Sequence, residues 1–375
     1  MPKTRICVTG LRGIPGVIGG VEAHCEELLP RIAALAPELE IEVLGRRRYI
    51  DPKAGRFHGV AVTALPALRG ASTEAIGATL IGVLYARLRG ASIIHIHAIG
   101  PALVAPLARA LGLQVVLTHH GADYDRAKWG RFAKLMLRAG ERLGVSSAHR
   151  VIAVAPSLAE RLKAEFPSRA NAIRFIPNGA PALEDSRSAE STLEGFGLKK
   201  RDFILGVGRL VPEKGFDYLI RAFKESGTDR KLVLVGSAMH DSAFCRDLLG
   251  KADDKVVFLG SQPRSVLRRL YENADLFVLP SFHEGLAISA LEAANCGAPM
   301  LLSDISANRD LGLPEGNYFP VGNEHALAVQ LARPGHEFGY DVSALRTRFD
   351  WDRIAQQTLD VYRGLIEPQE DSASN

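Results

Sequence analysis

The sequence predicts an α/β protein in which two doubly wound, parallel-sheet (Rossmann-like) domains face a central cleft. Three observations carry that expectation. The chain has 375 residues, enough for two domains at roughly 150 residues each. Short, mainly apolar runs alternate with helical-period segments along its whole length, the pattern of strands buried under helices. A polar stretch then interrupts the series near its middle.

Taken in order, the apolar runs of the first half fall at residues 6–9, 41–44, 60–63, 92–96, 115–118, 151–154 and 173–176. Those of the second half fall at 203–207, 232–235, 256–259, 276–279, 300–302 and 318–321. Between them, Val21, Cys25, Leu28, Leu29, Ile32 and Leu35 follow the spacing of one helix face, and Phe216, Leu219, Ile220 and Phe223 repeat it. The break between domains is expected at Pro177-Asn178-Gly179, ahead of the polar segment 182–191. The expected boundaries are therefore 1–178 and 179–350. Trp351, Ile354, Thr358, Val361, Tyr362 and Leu365 then mark a helix at 351–367 that crosses back to the N-terminal domain, with a frayed tail at 368–375.

Composition narrows the function. Hydrophobic residues make up 47% and charged residues 23%, ordinary globular proportions that exclude a disordered chain. The uncharged, mainly apolar stretch 75–86 is shorter than the ~20 residues a spanning helix needs. The first ten residues do not read as a signal peptide. Cys7, Cys25, Cys245 and Cys296 show no CxxC spacing, which argues for a reducing compartment and against structural zinc. A cytoplasmic protein is expected. Charge is uneven: residues 1–180 hold 24 basic and 13 acidic side chains, and 181–375 hold 22 and 29. A basic first half suits a membrane surface (the inner face of a plasma membrane), nucleic acid or a phosphorylated substrate, with a surface of solvated arginines as the lesser alternative.

In open parallel sheets ligands collect beyond the carboxyl ends of the strands, so chemistry is sought in the loops that follow the apolar runs. The first loop, 10–20, reads GLRGIPGVIGG. It lacks both the G-x-G-x-x-G spacing of a dinucleotide site and the GK[ST] of a P-loop. It ends in Gly19-Gly20 at a helix start, where free N–H groups and the helix dipole favour an anion; a plain flexible turn is the alternative. After 203–207 comes GRLVPEKG, which sets Arg209 and Lys214 on one loop. A guanidinium fork and an ammonium suit a diphosphate leaving group. After 276–279, the loop at 280–285 leads into a helix expected from Leu286, with Glu284 before it and Glu292 about two turns along. Carboxylates so placed can accept hydrogen bonds from sugar hydroxyls at two points.

Taken together, GGVE at 19–22, GRLVPEKG at 208–215, HEGLAISALE at 283–292 and SDISANRD at 303–310 resemble a family-4 retaining glycosyltransferase of the GT-B fold. The match runs through nearly the whole chain in order. The stretch 118–134, THHGADYDRAKWGRFAK, is similar to enzymes of bacterial exopolysaccharide and O-antigen (lipopolysaccharide) assembly, some of them rhamnosyltransferases. The resemblance implies a nucleotide-diphosphosugar donor as co-substrate, no cofactor and no metal. It places Gly19 and Gly20 beside the donor diphosphate, and has Arg209 and Lys214 clamp it. Glu284 would hold hydroxyls of the sugar, with backbone groups of Gly285 and Leu286 nearby, and Glu292 would bind the ribose. His120 matches the histidine that lies over the reacting sugar. The familiar aromatic after the Glu-Gly pair is replaced by Leu286-Ala287.

His119 and His120 are adjacent, so on an extended segment they point opposite ways and one of them faces the cleft. His95 and His97 point the same way, but no third ligand at suitable spacing suggests a metal. Asp123 to Phe132 mixes cations with aromatics, and there His97, Tyr124, Arg126 and Lys128 are the expected acceptor-binding residues, with Trp129 and Phe132 at a lipid interface. An amphipathic helix packed on its own domain is the rival for that segment. No nucleic-acid partner is expected. Two further functions are weighed: a GT-B nucleotide-sugar epimerase, and a non-catalytic nucleotide-sugar-binding assembly subunit.

Overall fold

A computed structural model describes residues 3–17, 19–51, 55–67, 74–122, 124, 130–181, 190–237 and 242–366. The chain divides into two compact units, residues 1–179 together with 350–375, and residues 180–349.

The first unit carries strands β1 (Thr4–Thr9), β2 (Leu39–Arg46), β3 (Arg56–Phe57), β4 (Val60–Leu65), β5 (Ile93–His97), β6 (Gln114–His119), β7 (Arg150–Ala153) and β8 (Ile173–Phe175). They form one sheet in the order β3-β4-β2-β1-β5-β6-β7-β8. All neighbours are parallel except β3, which pairs antiparallel with β4. Its helices are α1 (Gly20–Leu35), α2 (Glu74–Leu88), α3 (Ala105–Ala110), α4 (Arg131–Ser147) and α5 (Pro156–Glu165). In the second unit, strands β9 (Phe203–Val207), β10 (Lys231–Val235), β11 (Val256–Phe258), β12 (Leu276–Leu279), β13 (Met300–Ser303) and β14 (Tyr318–Phe319) run parallel in the order β11-β10-β9-β12-β13-β14. Its helices are α6 (Glu190–Gly195), α7 (Phe216–Ser226), α8 (Ala243–Leu249), α9 (Arg264–Asn273), α10 (Ile288–Asn295), α11 (Ser306–Arg309), α12 (Glu324–Leu331) and α13 (Val342–Arg348). The last helix, α14 (Trp351–Ile366), belongs to the first unit.

Every apolar run read from the sequence is a strand. Among the described residues, the one strand it missed, β3, is two residues long and too short to show a period. Its signal was the turn, for His58 (φ 42°) and Gly59 (φ 88°) both take positive φ between the paired Phe57 and Val60, as a two-residue primed hairpin requires. Most of the stripe predicted on α1 is buried: Cys25, Leu28, Leu29 and Ile32 pack against Ile6, Val8 and Ile41 of the sheet, whereas Leu35 at the helix end is 45% exposed. Trp351, Ile354, Leu359 and Tyr362 of α14 join the same core. Burying each such side chain contributes roughly 1.5–3 kcal/mol, so α14 is held to the first unit by its apolar stripe. The expected frayed tail, 368–375, lies outside the described residues.

One helix start differs from expectation. α10 begins at Ile288, not Leu286, because Ala287 is extended (φ −70°, ψ 112°) and Leu286 and Ala287 are turned inward, 6% and 5% exposed. With both apolar side chains buried and Ala287 extended, the helix begins after them, at Ile288. Glu292 is therefore the fifth residue of α10, about one turn in.

Candidate active site

In the second unit, strand order builds the site. β9 and β12 are neighbours, with Leu276 opposite Ile204 and Phe277 opposite Leu205, so the loops at their carboxyl ends emerge side by side. After β9, Pro212–Lys214 makes a single 3-10 turn and Gly215 closes it in the left-handed conformation, φ +68°. After β12 come Pro280 and Ser281. The two loops are stitched together by the Phe282 amide donating to the Glu213 carbonyl (2.9 Å) and the Tyr218 hydroxyl donating to the Pro280 carbonyl (2.5 Å). Gly215 lies so close that a Cβ there would sit 2.3 Å from the Pro280 oxygen.

That stitching brings Lys214 and Glu284 together. The ammonium donates to Glu284 Oε1 at 2.5 Å, and the Ser281 hydroxyl donates to the same oxygen at 2.6 Å. Both charged side chains are largely sheltered, 13% and 11% exposed. Ser281 is itself fixed: its carbonyl accepts from the Ser303 hydroxyl on β13 (2.6 Å), and the Asn308 amide of α11 donates to Ser303. The lysine stem packs beside Gly208, at 3.4 Å from where a Cβ would stand. Arg209, half-buried, shares the Lys214 loop. On α10 the Glu292 carboxylate accepts from the Tyr271 hydroxyl of α9 at 3.0 Å. Tyr271 is fully buried, and burial together with the Glu292 charge holds its hydroxyl proton far more tightly than usual. Gly285 and Leu286 lie in the bend that precedes α10 rather than on its first turn.

In the first unit Gly19 is the N-cap of α1, and Gly20 is its first residue. Arg12 forks onto Glu22 through two bonds of 3.0 and 3.1 Å, and the Arg12 amide donates to the same carboxylate at 3.0 Å. The hydrogen bond and charge of Glu22 hold the Arg12 proton more tightly than usual, against the effect of burial. A Cβ on Gly19 would fall 1.9 Å from the Glu22 carboxylate and 2.3 Å from the Arg12 guanidinium. A side chain at residue 19 would therefore have to displace the Arg12–Glu22 pair.

β5 and β6 are also neighbours, with His97 opposite Thr118, and their ends gather five imidazoles. His119 and His120 leave the strand in different directions. His119 Nε2 meets Glu141 of α4 at 2.6 Å, where the Tyr124 hydroxyl (3.0 Å) and the Arg161 guanidinium also donate. His120 Nε2 meets His97 Nδ1 at 3.0 Å, while the ring centre of His24 on α1 lies 5.1 Å from that of His120, the rings edge-on at 82°. His95 is turned to the Tyr362 and Thr118 hydroxyls, both at 2.7 Å. Burial, and next the neighbouring imidazoles, push the proton affinities of His120 and His97 well down; burial takes His24 to about 4 and His95 to about 3. All four are neutral at neutral pH. Glu141 goes the other way: burial would raise it, but bonds from His119 and Arg161 outweigh that and hold it at about 2.

Of the residues expected to bind an acceptor, His97 is fully buried with Nδ1 engaged by His120, and the Tyr124 hydroxyl is engaged by Glu141. Both geometries position neighbours rather than present a free polar group, because the strand ends converge on α1 and α4. Arg126 and Lys128 lie outside the described residues. The supporting shell escaped the sequence reading: Tyr271, Ser281, Ser303 and Asn308 in one unit, Arg12, Glu22, His24, Glu141 and Arg161 in the other. Two motifs carried a signal for some of them: SDISANRD contains Ser303 and Asn308, and GGVE ends in Glu22.

Two family descriptions match successive parts of the chain: Glycosyltransferase Family 4 over residues 18–182, and Glycosyl transferases group 1 over residues 190–333. The chain is a glycosyltransferase of the GT-B fold. Among relatives, an uncharacterized glycosyltransferase of Methanocaldococcus jannaschii is 26% identical, over 94% of this chain and 96% of its own. Among solved structures, a sucrose-phosphate synthase from Thermosynechococcus elongatus (TM-score 0.78, 23% identity) covers 97% of this chain and 99% of its own. The Anabaena protein HepE, solved with UDP and glucose (TM-score 0.75, 18% identity), covers 96% and 100%. Neither these nor the family matches carry the rhamnosyltransferase-like subtype that the sequence suggested.

Proposed function

We propose that the protein transfers a sugar, with retained anomeric configuration and without a metal, from a nucleotide-diphosphosugar to a saccharide or lipid-linked saccharide in bacterial surface polysaccharide synthesis. The observation that carries this reading is the Lys214–Glu284–Ser281 cluster at the ends of two adjacent strands. It couples a cation suited to a diphosphate with a carboxylate suited to sugar hydroxyls. With no donor bound, each charge screens the other. A donor separates them: the ammonium turns to the phosphate oxygens with Arg209, and Glu284 accepts from the sugar. Glu292, pinned by Tyr271, accepts from the ribose hydroxyls. The bond between the anomeric carbon and the diphosphate breaks as charge develops on the leaving oxygen, which the two cations stabilise. An acceptor hydroxyl closes the new bond on the same face and passes its proton to the departing phosphate. His120, neutral by burial, orients the sugar by hydrogen bonding. The UDP and glucose of HepE support a donor of this class.

For the acceptor, α4 supports a substrate at a membrane surface. Arg131, Phe132, Leu135, Arg138, Arg142 and Leu143 are exposed, and its one acid, Glu141, is buried. A face of arginines and large apolar side chains suits anionic headgroups. Among the described residues, no helix is long and apolar enough to cross a membrane. The deciding experiment is a thermal-shift panel of UDP, GDP, ADP and dTDP sugars. A donor at about 100 times its dissociation constant adds about 2.7 kcal/mol, and silence across the panel would overturn the reading.

A further inference from the structure

His24 has no part in the reaction described above, yet it lies among groups that bind metals. It sits on α1, in edge contact with His120 and with its ring centre 5.6 Å from that of His97. One nitrogen from each of His24, His97 and His120 lies within 4.8 Å of the others. His24 Nδ1 is buried without a hydrogen-bond partner, although the residue is only 3% exposed. Burying an imidazole nitrogen unpaired is unfavourable, and a fold that keeps one there invites an explanation in terms of what it can bind.

We infer that His24, His97 and His120 form a binding site for a late first-row divalent cation, with Zn²⁺ as the reference ion. Imidazole nitrogen suits zinc, copper and nickel better than magnesium or calcium. Three protein nitrogens leave one tetrahedral position for water or another ligand. The geometry is close to what the ion needs. Zn–N bonds of about 2.0–2.1 Å at tetrahedral angles set nitrogens about 3.3 Å apart, and the His97–His120 pair stands at 3.0 Å. The widest separation the cluster allows, 4.8 Å, closes with ring displacements of about 1.5 Å relative to the tetrahedral spacing. All three rings are neutral, the state a metal requires, so binding releases no proton: the His97–His120 hydrogen bond is given up and its N–H moves to the other nitrogen of the same ring. The pair at the end of β5 that hints at a metal in the sequence, His95 and His97, is not the donor set. His95 is engaged by Tyr362 and Thr118, and the missing ligands come from α1 and from the end of β6.

An ion on His120 takes a nitrogen of the residue assigned above to the sugar, so the ion-bound form and the metal-free transfer exclude each other, and the test reads binding rather than turnover. Chelator-stripped protein is titrated with ZnCl₂ by calorimetry and with Co²⁺ by visible absorption. One ion per chain is expected, with the intense d–d bands of low-coordinate Co²⁺, and with perturbed ¹⁵N shifts of the His97 and His120 imidazoles. H24Q and H97Q, shown by circular dichroism to be folded, should each bind at least ten-fold more weakly, while H283Q on the second unit should bind as wild type. Absence of stoichiometric binding would overturn the inference. So would binding that H24Q leaves unchanged, since the ion would then sit elsewhere. Should H97Q fail to fold, H24Q and the wild-type imidazole shifts still decide.

Discussion

Replacing Lys214 with alanine tests the donor site most directly. Two effects separate. On stability, the change removes the ammonium from a 2.5 Å contact whose carboxylate side chain is 11% exposed. Stripping one partner from a fully buried pair costs about 3–5 kcal/mol. Here the residual exposure and the Ser281 bond to the same oxygen (2.6 Å) reduce that to about 1–2 kcal/mol, on the scale of a single charged hydrogen bond. For a unit of this size the melting temperature should fall by about 2–8 °C. On catalysis, losing one group that stabilises leaving-group charge lowers turnover about 10²–10³-fold. Steady-state transfer from a radiolabelled donor, with calorimetric donor binding alongside, separates kcat from affinity. K214A should lose far more in kcat than in donor binding, because the charge it meets grows in the transition state. K214A turning over within about threefold of wild type would refute the reasoning, since ~0.7 kcal/mol of barrier is too little for a phosphate clamp.

Gly215→Ala should destabilise the second unit by about 2–4 kcal/mol, because the residue stands at φ +68° with the Pro280 oxygen 2.3 Å from the added carbon; urea denaturation measures it. Glu141, held at about 2 against its ordinary 4.5, contributes stability that is fully present above pH ~4.5 and is lost as pH falls toward 2. Wild type should therefore lose melting temperature steeply over that window, whereas E141Q should start lower and fall less; parallel curves would remove Glu141 as the cause. Tyr271→Phe should cost about 0.5–1.5 kcal/mol and raise the donor KM with kcat nearly unchanged, because it frees the ribose-binding Glu292 carboxylate to wander rather than touching the reacting bond.

The parallel strands were legible because each is buried on both faces and so reads as an uncharged run, and the α1 and α14 stripes because a helix buries residues at a fixed period. The loops holding Arg209, Lys214 and Glu284 were legible for the same reason: once strands are placed, their carboxyl ends are placed. The two-residue β3 and the delayed start of α10 were not, since they depend on a turn's φ angles and on where Leu286 and Ala287 find cover.

By itself, then, the order of apolar runs and helical stripes determined the two doubly wound units and which loops carry polar groups. Only the tertiary structure decided which of those groups meet. Lys214 finds Glu284 because β9 lies beside β12, and His24 finds His97 and His120 because α1 packs over the ends of β5 and β6. The reason is physical: periodicity records how a segment buries its own faces, whereas a contact between distant segments depends on strand order, which no local spacing encodes.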